Sequence, residues 1–357
     1  MALYDHVADL PLELESYELE GRVVDVSSGF ARRTTVVHLL GGGHEGVGED
    51  VTYDGDDQLA LQQAPRELPL AGSHTLDSFS ELVGRLNLFP SGPDREDYRN
   101  YRRWAFESAA LDLALRQAGT TLHEAVGRTP QPVRFVVSMR FGDPPSAEPV
   151  LGWLAIDPTL EFKLDPTSGW TDELVAELAA TGAVESADLK GAYQGTVVDQ
   201  PADPALYARV ANGLPDAWLE DPAVTAETES VLARHWDRIT WDAPIHTVAD
   251  VDALPVRPKT LNVKPSRSGS IRELFALYDY CGEHGIGLYG GGQFELGPGR
   301  GQIQYLASVF HPDGPNDVAP GAYNLSGPRS GLPRSPLDPA PDALGFRWVA
   351  DYDASNV

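Results

Sequence analysis

The chain has 357 residues, 42% hydrophobic and 22% charged, a globular balance that excludes wholesale disorder and fibrous repeats and leaves room for two domains. Its 53 acidic residues against 27 basic ones give a formal charge of −26, a field that repels phosphate backbones and anionic membrane surfaces, so nucleic acid and membrane are not expected partners. The single cysteine, Cys281, rules out an internal disulfide and any cysteine-based zinc cluster.

The opening stretch MALYDHVADLPLELESYELEG lacks a basic segment followed by an apolar one, and no run of about 18 apolar residues follows anywhere. Secretion and membrane insertion therefore lack support, and a cytoplasmic location is the expectation. From Tyr17 to Val51 the alternation in YELEGRVVDV and RTTVVHLL, with the polar turn GGGHEG before VGEDVTY, predicts a small antiparallel sheet. From Asp94 to Gly119 the period turns helical: Trp104, Ala105, Ser108, Leu111 and Leu115 share a face, and Gly119 suits the residue that ends the helix. Residues 1–128 thus read as an α+β capping domain.

After Pro130 a short apolar strand, a loop and an amphipathic helix recur: RFVVSM, LEFKLD, a helix over 172–181, ESADLK, a helix over 204–212 and AWLED. A helix over 225–234, RITWD, a short helix near 247–253, KTLNVK, a helix over 271–283 and GIGLYG complete the series. This alternation predicts a parallel barrel over 129–327, and the Pro-, Gly- and Asp-rich residues 328–357 read as a capping segment with little regular structure. Ser270 and Glu273 form an S-x-x-E signature that starts the sixth helix, where Cys281 shares a face with Ile271, Leu274, Phe275 and Tyr278 as a core thiol.

In such a barrel the chemistry lies at the C-terminal strand ends, and here those ends carry Lys163 and Asp165, Asp188 and Lys190, Glu220, Asp242, and Lys264. Side chains two apart on a strand share a face, so Lys163 and Asp165 point inward with Asn262 and Lys264, while Phe162, Leu164, Leu261 and Val263 face the helices. Asp188, Glu220 and Asp242 are three oxygen-only ligands on adjacent strands, a set that suits a hard cation such as Mg2+ and leaves coordination sites open for substrate oxygens.

With these residues in view the chain resembles the enolase superfamily, in particular its muconate cycloisomerase and o-succinylbenzoate synthase branch (the mandelate racemase and muconate lactonizing enzyme type). The likeness covers nearly the whole chain and rests on GVGED in the cap, which resembles the family's G-x-GE turn, on ESAALDLALRQAGTTLHEAVG leading into the barrel, and on DLKGAY, WLEDP, WDAP and LNVKPSRSGSI. It implies an α/β fold, a modified TIM barrel (β/α)7β with an N-terminal α+β capping domain. It also implies a Mg-dependent lyase or isomerase that removes the proton α to a carboxylate, with the enediolate stabilised by Mg2+, on the way to racemisation, cycloisomerisation or dehydration. Asp188, Glu220 and Asp242 are the implied ligands and Lys163 and Lys264 the implied acid/base pair. The cap loops carrying Arg32 and Tyr53, together with Gln293 and Glu295 in GGGQFELGPGRGQ, match the substrate-binding positions, and Asp165 and Lys190 at the strand ends join them as expected substrate contacts. A small-molecule carboxylate and further copies of the chain are the implied partners.

The chain also departs from the family pattern. The usual K-x-K pair on the second strand is Lys163-Leu164-Asp165, so the position of the usual catalytic lysine is held either by Asp165 or, with a register shift, by Lys163. Lys190 stands where Asn is usual and either supplies the charge that Asp165 removes or neutralises Asp165 as an ion pair; Ala243 replaces a Glu. These departures motivate a second expectation, a catalytically altered barrel that binds metal or a small ligand without turnover.

Overall fold

The computed structural model describes residues 1–25, 31–63, 68–193, 195–196, 198–325 and 327–349. The cap opens with β1 (Pro11–Leu14), then β2 (Ser16–Asp25), β3 (Ala31–Gly41) and β4 (His44–Asp50), α1 (Gly55–Gln63), β5 (Gly72–Thr75), α2 (Leu76–Arg85), α3 (Tyr98–Ala118) and α4 (Leu122–Ala125). β2, β3 and β4 form the expected antiparallel sheet, and β1 pairs with β5 in a second, two-stranded sheet that the alternation did not reveal. The tight turn is Gly42–Gly43, both at positive φ, so GVGED lies inside β4 and is not a turn. Its glycines serve packing: a Cβ on Gly46 or Gly48 would collide with the α3 carbonyls of Ala109 and Ala105. α3 ends at Gly119 in the left-handed conformation, as its sequence suggests.

The second half runs β6 (Val137–Met139), α5 (Glu148–Leu154), β7 (Phe162–Leu164), α6 (Asp172–Thr181), β8 (Val184–Asp188), α7 (Pro204–Gly213), β9 (Trp218–Glu220) and α8 (Glu229–Leu232). It continues with β10 (Ile239–Thr240), α9 (Val248–Asp252), β11 (Thr260–Val263), α10 (Pro265–Ser268), α11 (Ile271–His284), β12 (Gly287–Gly290), α12 (Pro298–Phe310) and α13 (Ala322–Leu325). β6 to β10 pair in parallel in chain order, as do β11 and β12. The Asn262 N–H donates to Trp241 O at 3.0 Å and joins the two groups. Parallel bridges Gly291–Asp317 and Phe135–Asn316 then close the ring, so residues 316–317 act as the eighth strand. α8 is shorter than the sequence period suggests: one turn over 229–232 instead of 225–234.

The core is continuous from cap to barrel. Phe162, Leu164, Leu261 and Val263 are buried on the helix side, while Lys163 and Asn262, equally buried, fill the barrel interior. Ser270 caps α11 by accepting the Glu273 N–H at 3.2 Å, and Cys281 is fully buried beneath it, its thiol pushed up to about 12 by burial. Cap and barrel lock through buried polar contacts. Glu49 accepts the N–H groups of Leu296, Gly297 and Gly299 at the start of α12, where a carboxylate also meets the positive end of the helix dipole. Asn100 on α3 donates to Arg267 O at 2.8 Å, an approach that only the Cβ-free Gly269, at φ +73°, allows.

The eighth strand is pinned by Asn316, whose side chain binds Gly290 N–H and the carbonyls of Arg134, His311 and Gly314, and by His311, which pairs with Asn316 Oδ1 at 2.7 Å. Burial pushes His311 down to about 4, so the folded state keeps it neutral. On acidification the unfolded chain takes this proton first. The contribution is therefore complete above about pH 6.5 and is lost as pH falls toward 4, by roughly 2 to 3 kcal/mol at pH 4.5. Urea unfolding at pH 7 and 4.5 is expected to show that much less pH-dependent loss in His311→Gln than in the parent; equal losses would refute the assignment. With Glu18, Glu20 and Asp25 exposed along β2 and a charge of −26, self-repulsion opposes folding, and the melting temperature is expected to rise between 0.1 and about 2 M NaCl. A flat salt profile would show that repulsion does not limit stability.

Candidate active site

β7, β8, β9 and β10 bring the site together. Lys163 lies in register with Ser186, and Asp188 in register with Glu220, so strand pleating turns Lys163, Asp188 and Glu220 inward; Asp242 follows two residues beyond Thr240, the register partner of Glu220. Carboxylate oxygens of Asp188, Glu220 and Asp242 all lie within 4.8 Å of one another, and the three residues are fully buried.

Carboxylates out of water require compensation, and it is present. Lys163 Nζ pairs with Glu220 Oε1 and with Asp188 Oδ2 at 3.1 Å, and stands 4.0 Å from Asp317. Lys190 Nζ meets Asp188 Oδ2 at 2.5 Å and Asp165 Oδ1 at 3.5 Å. Lys264 Nζ is 2.9 Å from Asp242 Oδ2, and Arg267 pairs with Asp242 Oδ1. Tyr193 donates to Asp242 Oδ2 at 3.0 Å, Tyr289 donates to Glu220 Oε2, and Asn262 donates to the same oxygen at 3.4 Å. Burial pushes Asp188 up, but Lys190 and Lys163 outweigh it and hold Asp188 well below the usual carboxylate range; Arg267 and Lys264 do the same for Asp242. Burial likewise opposes the charge on Lys163, yet Glu220 and Asp188 keep it an ammonium well above its ordinary range. Asp221, which accepts the N–H groups of Asp242 and Ala243 at 2.8 Å each, is pushed up to about 7 by burial and by the carboxylates of Asp242 and Asp188.

The backbone is shaped for the site as well. The non-glycine residues with left-handed backbone among the described residues are Lys190, Asp221 and Phe294, all at this end of the barrel. Over them lies a cavity of about 1260 Å³, walled by Tyr53, Tyr98 and Tyr101 of the cap and by Met139, Trp153 and Tyr323 of the barrel. It reaches Lys163, Asp165, Lys190, Lys264, Arg267 and Gln293.

The expected substrate contacts divide. Gln293 lines the cavity and donates to Tyr101 Oη at 3.1 Å, and Tyr53 stands at the mouth. Glu295 is turned to the protein, accepting the Gln293 N–H at 2.6 Å and pairing with Arg300 at 3.1 Å. Arg32 is no open anion grip: fully buried, it donates to the carbonyls of Arg33, Val51, Thr52, Gln293 and Phe294, which uses the five N–H bonds of a guanidinium. Residues 27–30 of the same cap loop lie outside the described residues. Sequence reading passed over Tyr193, Asp221, Arg267, Tyr289 and Asp317. Inward parity on GLYG marks Tyr289, and Arg267 follows Lys264 by one helical turn; Asp317 carried no signal, because its strand is only a bridge.

Two family descriptions match the chain, "Domain of unknown function (DUF8230) C-terminal domain" over residues 129–325 and "Domain of unknown function (DUF8230) N-terminal domain" over 5–125. The chain belongs to the DUF8230 family. Its fold is that of the enolase superfamily: it superposes on an enolase superfamily member from Listeria innocua with a TM-score of 0.65, at 18% identity over 94% of this chain and 93% of that one. Muconate cycloisomerase from Pseudomonas fluorescens gives 0.63, also at 18% identity, over 94% and 95%. In sequence, an N-succinylamino acid racemase from Amycolatopsis is 30% identical over 233 residues, 62% of this chain and 60% of the racemase, so the match spans less than two thirds of that relative. Among the described residues no helix is long and apolar enough to cross a membrane.

The donor set fits a hard divalent cation. It is all oxygen and convergent, three carboxylates with oxygens within 4.8 Å of one another. Folded Asp188→Ala and Glu220→Ala variants are each expected to weaken Mg2+ binding by more than about tenfold in calorimetry. Parental affinity in both would remove these residues from the cation site.

Proposed function

We propose that this protein is an enzyme that removes the proton α to the carboxylate of a small-molecule substrate, using a divalent cation, Mg2+ by preference, held by Asp188, Glu220 and Asp242. The observation that carries the reading is the placement of two amines about one carboxylate triad: Lys163 on the second strand and Lys264 on the sixth stand across an eight-membered ring, with 3.1 Å from Lys163 to Asp188 and 2.9 Å from Lys264 to Asp242. A cation bound there supplies positive charge to the enediolate that α-deprotonation creates. The chain's own residues supply the rest. Lys264 moves the α-proton on one face, and Lys163 serves the other face as acid or base. Arg267 and Tyr193 hold Asp242 in place, and the aromatic wall of the cavity receives the remainder of the substrate and keeps water out.

Racemisation, cycloisomerisation and dehydration share this first step. N-Acylamino acids are the natural first compounds to screen, given the name of the Amycolatopsis relative. In the same reading the protein works as a homo-oligomer, without nucleic acid or membrane; a 38.6 kDa species in light scattering would overturn that assembly. A second reading, ligand binding without turnover, draws on Asp165 standing where an amine would serve and on the Lys190 ammonium lying against Asp188. Solvent-deuterium exchange at the substrate α-carbon separates the two. Lys264→Ala is expected to abolish exchange, a loss of at least ~10²-fold, with Mg2+ affinity nearly unchanged, and Lys163→Ala to lower turnover. Parental exchange in Lys264→Ala would end the two-lysine mechanism.

A further inference from the structure

Lys190 holds Asp188 from two sides. Its N–H donates to Asp188 Oδ1 at 3.1 Å and its ammonium meets Oδ2 at 2.5 Å, while Lys163 shares Oδ2 at 3.1 Å. Both oxygens of this carboxylate are thus engaged by cations or N–H groups, and a divalent cation approaching Asp188 meets an ammonium already there. The backbone half of the grip is set by the turn itself, with residue 190 at φ +54°. The ammonium half is not: it sits at the end of a flexible four-carbon stem, needing only side-chain rotation to leave.

The surroundings offer it a partner. Asp165 Oδ1 is buried, stands 3.5 Å from Lys190 Nζ as an ion pair, and among the described residues takes part in no hydrogen bond. The Tyr193 ring, 4.9 Å from Nζ, gives the ammonium a π face beside that route. A buried carboxylate oxygen that takes part in no hydrogen bond is costly, and an ammonium drawing closer than 3.5 Å relieves that cost.

Resting on the cation reading above, we propose that Asp165 is the acceptor to which Lys190 transfers its ion pair when a divalent cation binds Asp188. Asp165 is then a positioning residue, and it sets cation affinity through Lys190 and not through its own charge alone. The two departures from the K-x-K and D-x-N patterns become one device: an added cation beside the first ligand, and an added anion one strand away to draw it off.

A double-mutant cycle read by Mn2+ calorimetry on the full-length protein at fixed ionic strength tests this. Asp165→Asn is expected to weaken Mn2+ binding by about tenfold or more, because Lys190 keeps its hold on Asp188. Lys190→Asn, a residue that tolerates the left-handed backbone, is expected to tighten binding by about tenfold. In the Lys190→Asn background, Asp165→Asn should have little further effect, and Asp165→Glu, which keeps the charge, should stay near the parent. If Asp165→Asn weakens binding equally with and without Lys190, Asp165 acts only by its own charge and the transfer is refuted; unchanged affinity in Asp165→Asn refutes it as well. A parent that binds no Mn2+ would instead defeat the cation site itself, and this inference with it. Thermal melts of each variant identify any that fail to fold, and the Asp165→Glu and Lys190→Asn arms then decide.

Discussion

Three carboxylates held out of water within 4.8 Å of one another are costly to bury, and much of the barrel mouth follows from that cost. Four cations, two tyrosine hydroxyls and one amide converge on Asp188, Glu220 and Asp242 from four stretches of the chain: Lys163 on β7, Lys190 and Tyr193 after β8, Asn262, Lys264 and Arg267 from β11 and α10, and Tyr289 on β12. Left-handed backbone at Lys190 and Asp221 aims side chains that a relaxed loop would leave elsewhere. The strain and the buried charge coincide in space, as expected where a site is specified at the expense of stability.

The choice of cation is informative. The sequence holds only four lysines, Lys163, Lys190, Lys259 and Lys264, and otherwise relies on arginine for positive charge. Three of the four are at the mouth. Arginine makes the structural pairs, as in Arg102 with Asp50 and Arg116 with Asp112, because its planar fork binds carboxylates in fixed geometry. A guanidinium stays protonated in proteins, whereas an amine can give up its proton, so lysine suits positions 163 and 264, where proton transfer is the proposed task.

The cap acts on the site through the seventh loop. Arg32 gathers carbonyls from both sides of the junction, including those of Gln293 and Phe294, and Glu49 seats the start of α12. Together they hold the loop that presents Gln293 to the cavity, with Phe294 in a left-handed conformation beside it. The cap therefore shapes the mouth by fixing backbone, while its tyrosines supply the surface a substrate would meet.

The sequence by itself determined the strand parity that turns Lys163, Asn262 and Lys264 inward, the three adjacent carboxylates, the antiparallel sheet of the cap and the helix ended by Gly119. Each is a local consequence of side-chain period or of a terminating residue, readable within a few positions. Tertiary structure alone decided the rest. GVGED proved to be strand, because its glycines answer to a helix some sixty residues away; Arg32 went to carbonyls, because the seventh loop closes over it; and Asp317 joined the site through a strand reduced to single bridges, which leaves no periodic trace. The Lys190–Asp165 ion pair stands between the two classes: the sequence left it as one of two readings for Lys190, and the direct pairing of β7 with β8 decides it by bringing the two charges within 3.5 Å.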